Sequence, residues 1–242
     1  MDRHIVFERL HNVRDLGGYR GHGGGTVRWG ALYRADSLGK LAGADLARFR
    51  ALGVRTVLDL RYPWEVEARG RVPADEGLTY RNLSIEHRPY DQAAIDPAVD
   101  PWRFLADRYA EVAADGAVEL RQALTALADD PGPVAFHCAS GKDRTGIVAA
   151  LALTVLGVAE ADVLADFALT ERATDRLVAD WHAANPGRTL RWPGYGRAPA
   201  TVLRLFLTDL AGTYGSVDAY LRDVVGVDTA LTDRLRARYL VP

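Results

Sequence analysis

A single cysteine, Cys138, stands among 242 residues. No internal disulfide can therefore form, stability must come from an apolar core, and no set of thiolates is available to a metal. The six histidines are scattered without the paired spacing of a zinc site, so no metal and no other cofactor is expected. No apolar run approaches the ~20 residues that cross a bilayer, so no transmembrane segment is expected. The opening Met1-Asp2-Arg3-His4 lacks a basic stretch followed by an apolar run; no secretory signal is read there, and the cytoplasm is the expected compartment. An excess of charge of either sign is missing too. A formal net charge of −2 gives no electrostatic case for nucleic acid or an anionic membrane as partner. What remains is a globular composition, 48% hydrophobic, long enough to bury a sizeable core.

The lone cysteine sits in the most informative stretch of the chain, His137-Cys138-Ala139-Ser140-Gly141-Lys142-Asp143-Arg144-Thr145-Gly146. Apolar Val134-Ala135-Phe136 precedes it, and a helical pattern from Thr145 to Leu156 follows. The expected order is strand, tight loop, helix. The first turn of a helix leaves N–H groups unpaired at the positive end of the peptide dipoles, which suits a phosphate and a nearby anionic nucleophile. Arg144 adds a planar fork matched to two phosphate oxygens. Gly141 allows a positive φ or a close backbone approach. Together these point to phosphate ester hydrolysis through a cysteinyl-phosphate.

Three rivals are weaker. A cysteine that merely fills the core needs no Gly-Lys-Asp-Arg after it. A Walker loop would require glycine where Phe136 stands and serine or threonine where Asp143 stands. A cysteine protease would need a histidine base elsewhere, because adjacent strand residues face opposite ways; His137 is read as tying the loop to its surroundings.

The HCxxGKDRTG signature resembles that of the atypical bacterial protein-tyrosine phosphatases, a cysteine-dependent group of broad or dual specificity. The resemblance extends along the chain in order. Asn12-Val13-Arg14-Asp15-Leu16-Gly17-Gly18-Tyr19 looks like the group's opening motif. Leu32-Tyr33-Arg34-Ala35-Asp36-Ser37-Leu38 looks like its next block, Val57-Leu58-Asp59-Leu60-Arg61 with Glu65 and Glu67 like its first core strand, and Tyr214-Gly215-Ser216 with Tyr220-Leu221 like its C-terminal helical region. Where resembling sequences carry an acidic-aromatic pair before the last helices, this chain has Thr201-Val202. Some resembling phosphatases leave the cell without a signal peptide, which leaves export open.

Strands alternate with helices, which predicts an α/β fold, a central mostly parallel sheet flanked by helices as in the cysteine-dependent phosphatases, with additional C-terminal helices. Residues 1–242 are read as one catalytic domain, helical from about 159. Extended pieces Gly18–Arg20 and Thr26–Trp29 flank a glycine-rich hairpin turn. A helix over Ala44–Leu52, strands over Val54–Leu60 and Leu78–Ile85, and helices over Trp102–Leu127 and Ala159–Ala184 are expected. The stretch from His87 to Pro101, with prolines at 89, 97 and 101, reads as a long loop and candidate lid. Asn185 to Pro199 is a second long loop, and three helices follow Ala200.

Roles follow from chemistry and resemblance together. Cys138 is the expected nucleophile. The loop from Ala139 through Ser140, Gly141, Lys142, Asp143 and Arg144 to Thr145 would hold the non-bridging oxygens, and Thr145 would hydrogen-bond the sulfur. Lys142 is expected at the pocket mouth; in resembling enzymes a lysine here accompanies activity on phosphoinositides as well as phosphoproteins. A poor alkoxide leaving group calls for a proton donor. Trp192-Pro193-Gly194 lacks the aspartate of the Trp-Pro-Asp loop that many tyrosine phosphatases use, and lies downstream of the cysteine. Asp143 is the preferred general acid, with Glu86, His87 and Asp91 as alternatives. Arg14, Asp15, Asp59 and Arg61 would form either a buried ion network behind the loop or plain structure. Tyr19, Tyr62, Trp64 and Tyr90 are candidate pocket liners. The expected substrate is a phosphorylated protein, a phosphoinositide or a small phosphate ester. The alternatives to a broad-specificity phosphotyrosine phosphatase are a phosphatase for a small sugar, nucleoside or inositol phosphate and a phosphate-binding module without catalysis. Against the last stand the intact Cys138 and Arg144.

Overall fold

The fold is taken from a computed structural model that describes residues 2–85 and 90–242. Three strands, β3 (Leu32–Ala35), β4 (Thr56–Asp59) and β6 (Val134–His137), are buried along their whole length, as strands covered on both faces must be. With β1 (Arg14–Asp15) and β5 (Thr79–Asn82) they form a sheet in the order β1-β3-β6-β4-β5. All neighbours run parallel except β1, which is antiparallel to β3. The polar strand β5 closes one edge, where exposed Thr79, Arg81 and Asn82 suit solvent. A small second sheet pairs β2 (Thr26–Val27) with β7 (Leu240–Val241) at the chain's end.

Alternation along the strands sends residues to two different cores. Leu32, Leu58, Val134 and Phe136 enter the larger one. It is completed by helices α3 (Pro101–Asp115), α4 (Ala117–Asp129), α5 (Asp143–Val155), α6 (Glu160–Ala168), α8 (Ala200–Tyr214) and α10 (Thr229–Tyr239). Tyr33, Val57 and Ala135 enter the smaller one with Phe49 of α1 (Gly43–Ala51). The remaining helices are α2 (Pro63–Arg69), α7 (Thr174–Ala184) and the short α9 (Val217–Ala219), which runs into a π turn at Tyr220–Val225. No helix among the described residues is long and apolar enough to cross a membrane.

The α/β architecture agrees with the expectation from sequence; several boundaries differ. The helix expected over Trp102–Leu127 is two helices, because Gly116 leaves the helical conformation at φ −100°, ψ 20° and glycine is the weakest helix former after proline. The helix expected over Ala159–Ala184 is interrupted by a 3₁₀ segment at Leu169–Ala173. No glycine or proline marks that break; Thr170 and Ala173 are buried there, so tertiary packing sets it. Strand β1, two residues that are both charged, is too short and too polar to stand out by periodicity. The hairpin turn forms as expected, with Gly21 N–H donating to Gly25 O at 2.8 Å.

Candidate active site

β6 is the middle strand, and its carboxyl end is where ligands bind in open α/β sheets. Cys138 follows it directly. The loop to Lys142 then turns into α5, whose first residues are Asp143 and Arg144. A pocket of about 620 Å³ opens over this loop, lined by Cys138, Ala139, Ser140, Lys142, Asp143 and Arg144. Its walls come from after β3 (Lys40), from α2 and its approach (Tyr62, Trp64, Glu65, Arg69), from residues 90–92, from α7 (Asp180, Trp181) and from Tyr195. Of the four aromatics expected as liners, Tyr62, Trp64 and Tyr90 are there. Tyr19 is not: it is buried beside Asp166, with the Arg3 guanidinium over its ring.

The loop's carbonyls explain its shape. A loop whose amides are to face an anion must turn its carbonyls outward, and in a buried setting each of those needs a donor. Every carbonyl from residue 138 to 142 has one. Cys138 O contacts His137 Nδ1 at 3.0 Å, and Ala139 O accepts from the Ser37 N–H at 3.1 Å. Asn12 Nδ2 donates to Ser140 O and Gly141 O at 3.0 and 3.1 Å. Arg34 Nη2 also donates to Gly141 O, at 2.8 Å, and Lys142 O is taken by Gly146 N–H inside α5. Gly141 itself has φ +66°, and a Cβ there would fall 2.5 Å from Ala35 O. The position requires glycine twice over.

Behind those donors lies a buried charge cluster. Arg14 Nη1 donates to Asn12 Oδ1 at 2.6 Å, which fixes the amide so that its nitrogen faces the loop. Asp166 of α6 bridges Arg14 Nε (3.0 Å) and Arg34 Nη1 (2.7 Å), all three side chains about 1% exposed. Burial alone would raise the Asp166 pKa; the two guanidinium groups outweigh it and hold the carboxyl below its ordinary value. Of the two readings from sequence, a single network of Arg14, Asp15, Asp59 and Arg61 does not form. Arg14 pairs with Asp166, not Asp15, and Asp15 instead accepts the N–H groups of Gly17 and Gly30. Asp59 and Arg61 pair separately, at 2.6 Å, on the opposite face of the sheet. There the fully buried His137 has Nε2 3.5 Å from Asp59 Oδ2. Burial, opposed by that carboxylate, lowers the His137 pKa.

Arg144 is held at the pocket's edge by a partner that the motif did not disclose. Glu65 of α2 takes Arg144 Nη1 and Nη2 at 2.6 and 3.1 Å, and the Tyr62 ring lies 5.0 Å from the guanidinium. Burial would raise Glu65, but the Arg144 bonds outweigh it and lower its pKa, while Arg144 is raised by the same pair against its own burial. Glu65 also caps α2, its Oε2 accepting the Tyr62 N–H at 3.0 Å. Pro63 with Glu65 is a legible helix start, and that was the available signal.

Two further expectations are corrected. Lys142 does not sit at the mouth. It is 1% exposed, its Nζ has no hydrogen-bond partner among the described residues, and its nearest counter-charge is Asp143 Oδ1 at 3.3 Å. The chain turning into α5 directs that side chain inward. The Thr145 hydroxyl is buried but bonds nothing among the described residues, the Cys138 sulfur included. Of the proton-donor candidates, Asp143 lines the pocket and accepts the Tyr109 O–H at 2.7 Å. Asp91 also lines it but is paired with Arg188 at 2.6 Å, which lowers its pKa. Glu86 and His87 lie outside the described residues. Trp192 is buried, donating to Val99 O and packing on Phe104, away from the pocket lining.

A model of the tyrosine phosphatase family matches residues 5–241. Among curated proteins, one of Cupriavidus necator, named as a putative tyrosine-protein phosphatase, is 33% identical over 98% of this chain and 88% of its own length. A tyrosine-protein phosphatase of Nostoc commune is 28% identical over 86% of this chain and 74% of its own. The triple specificity protein phosphatase PtpB of Mycobacterium tuberculosis is 29% identical over 87% of this chain and 91% of its own.

Proposed function

The chain belongs to the tyrosine phosphatase family, and from that premise we propose that residues 1–242 form one catalytic domain that hydrolyses phosphotyrosine in proteins through a cysteinyl-phosphate at Cys138. The observation that carries the assignment of residues is the outward turn of the loop carbonyls from 138 to 141 onto donors of the scaffold. It leaves the intervening amides for an anion above Cys138, with Arg144 at their side.

In the first step the Cys138 thiolate attacks phosphorus in line, the S–P bond forms and the bond to the leaving oxygen breaks. Asp143 gives that oxygen a proton. In the second step water attacks phosphorus, Asp143 takes the water's proton, and the thiolate leaves. Charge through both steps spreads over the three non-bridging oxygens, so fixed donors there lower the barrier. Positioned proton transfer contributes a further ~10²–10⁴. Asp91 is the weaker donor because Arg188 stabilises its anion. An active-site thiolate suits a reducing compartment, in keeping with the cytoplasm.

Breadth toward phosphoserine, phosphothreonine and phosphoinositides has two supports. The pocket, about 620 Å³, exceeds what one phosphorylated ring fills, and the Lys142 ammonium, which makes no hydrogen bond among the described residues and faces only Asp143 at 3.3 Å, is suited to a second anionic group. The test is hydrolysis of p-nitrophenyl phosphate by wild type and Cys138→Ser with chelator present, followed by phosphotyrosine peptide against phosphoinositide. Activity that resists chelation and vanishes in Cys138→Ser is expected. Turnover persisting in Cys138→Ser would overturn the assignment.

A further inference from the structure

Asp143 has two oxygens, and they are not equivalent. Oδ1 accepts the Tyr109 O–H at 2.7 Å and faces the Lys142 ammonium at 3.3 Å. Oδ2 accepts no hydrogen bond among the described residues and is not sealed from solvent, in a side chain that lines the pocket. Tyr109 lies behind it on α3, 1% exposed and outside the pocket lining. Its ring is fixed edge-on by Phe167 and Phe206, with centroids 6.1 and 5.9 Å away. A phenol so buried beside a carboxylate keeps its proton: burial first, and the Asp143 charge second, push its pKa well above the ordinary value. Tyr109 is therefore a donor at every working pH, and Oδ1 is a committed acceptor.

We propose that Tyr109 is a positioning residue for the proton transfer: by occupying Oδ1 of Asp143 it makes Oδ2, on the pocket side, the atom that carries the transferred proton. The proton leaves Oδ2 for the leaving oxygen as the P–O bond breaks and the S–P bond forms. It returns to Oδ2 from the attacking water as the S–P bond breaks. Tyr109 touches neither substrate nor phosphorus, and acts only by holding the carboxylate's rotation. Without its hydroxyl the carboxylate can turn Oδ2 toward Lys142 and away from the leaving group.

This inference rests on Asp143 as the general acid, and leaving-group dependence separates the two claims. p-Nitrophenolate leaves well without a proton, whereas phenolate does not, so loss of proton transfer shows on phenyl phosphate far more than on p-nitrophenyl phosphate. A misfolded or loosened site lowers both alike. Tyr109→Phe removes one hydroxyl and keeps the ring, a loss of one hydrogen bond that is small beside the stability of a domain, so the variant folds. Expected for Tyr109→Phe is a fall in kcat on phenyl phosphate of roughly tenfold, at least three times the fall on p-nitrophenyl phosphate, with KM for both little changed. Asp143→Asn, measured beside it, is expected to show the same selectivity more strongly. Equal losses on both substrates in Tyr109→Phe, or none, with selectivity retained in Asp143→Asn, would overturn the role of Tyr109 and leave Asp143 standing. Equal losses in Asp143→Asn would remove Asp143 as the acid, and the inference with it.

Discussion

Replacing Asp166 by asparagine tests the foundation of the phosphate loop without touching the loop. Asp166 is the one carboxylate between two guanidinium groups that, like it, are about 1% exposed. Asparagine keeps the shape and can accept a bond from one arginine, but it turns an N–H toward the other and removes the compensating charge. Breaking one partner out of a buried ionic group costs about 3–5 kcal/mol, because the remaining charge stays desolvated and unpaired. That is a large part of the ~5–15 kcal/mol that holds a domain folded. For a chain of this size, with about 2–4 °C of Tm per kcal/mol, it corresponds to a drop of roughly 6–20 °C. Thermal unfolding followed by circular dichroism reads it directly. Acid titration gives a second reading. Asp166 has its folded pKa below its unfolded one, so its contribution is complete above about pH 4 and is lost as pH falls through the folded value. The gap between wild type and Asp166→Asn therefore closes below about pH 4. A triple change of Arg14→Met, Arg34→Met and Asp166→Leu recovers most of the stability, since apolar replacement of a whole buried ionic group is often neutral. It does not recover phosphate or vanadate affinity, because Arg34 no longer holds Gly141 O and Arg14 no longer orients Asn12. A Tm of Asp166→Asn within 2 °C of wild type would refute the reasoning.

Glu65→Gln loosens Arg144 by removing a charge-assisted pair of bonds; at about 1.5–3 kcal/mol this lowers kcat/KM by roughly 10- to 100-fold, and kinetics equal to wild type would show that Arg144 is oriented without it. Lys142→Met removes a buried ammonium that bonds nothing among the described residues, so Tm is expected to rise by about 2 °C or more while KM for phosphorylated substrates increases; a lower Tm would mean that the 3.3 Å contact with Asp143 is net stabilising. His137 is held below its ordinary pKa by burial, so the unfolded chain takes up that proton first as pH falls past about 6.5, and wild type loses up to ~1.4 kcal/mol per pH unit from this group. Urea midpoints of wild type and His137→Gln at pH 7 and 5.5 check it: a wild-type slope no steeper than the variant's would contradict a neutral buried imidazole.

The fold class was legible because Val134–Phe136 and the mostly apolar Val57–Leu60 are short runs followed by turn residues and then helical patterns, and that alternation has few solutions. The phosphate loop was legible for a different reason. Its chemistry is local, and nucleophile, glycine and arginine lie within seven residues. Partners supplied from afar were not. Glu65 lies 79 positions before Arg144 and Asp166 132 after Arg34, and a carboxylate in a helical pattern reads as a solvated face until the fold brings it inward. The burial of Lys142 was missed on the general expectation that lysines stay in water. Here two geometric demands outweigh that tendency: Gly141 is locked against Ala35 O, and α5 must start at Asp143. Together these fix where residue 142 points whatever its charge.

Helix α6 shows how the two sides of the site are made to agree. Asp166 and Phe167 are adjacent, and they serve the loop from different directions. Asp166 sets Arg34 on the carbonyl side. Phe167 packs on Tyr109, which holds Asp143 on the pocket side. Phe167 also lies so close to α5 that a Cβ on Gly146 would come within 2.9 Å of its ring. The glycine closing the motif at residue 146 therefore answers to packing and not to phosphate. A Gly146→Ala substitution would push α6 away and move Asp166 and Phe167 together. Its expected signature is a joint loss, weaker vanadate binding through the loop carbonyls and a steeper penalty on phenyl phosphate through Tyr109. A loss confined to one of the two would mean that the arms move independently, and that α6 is not the common support.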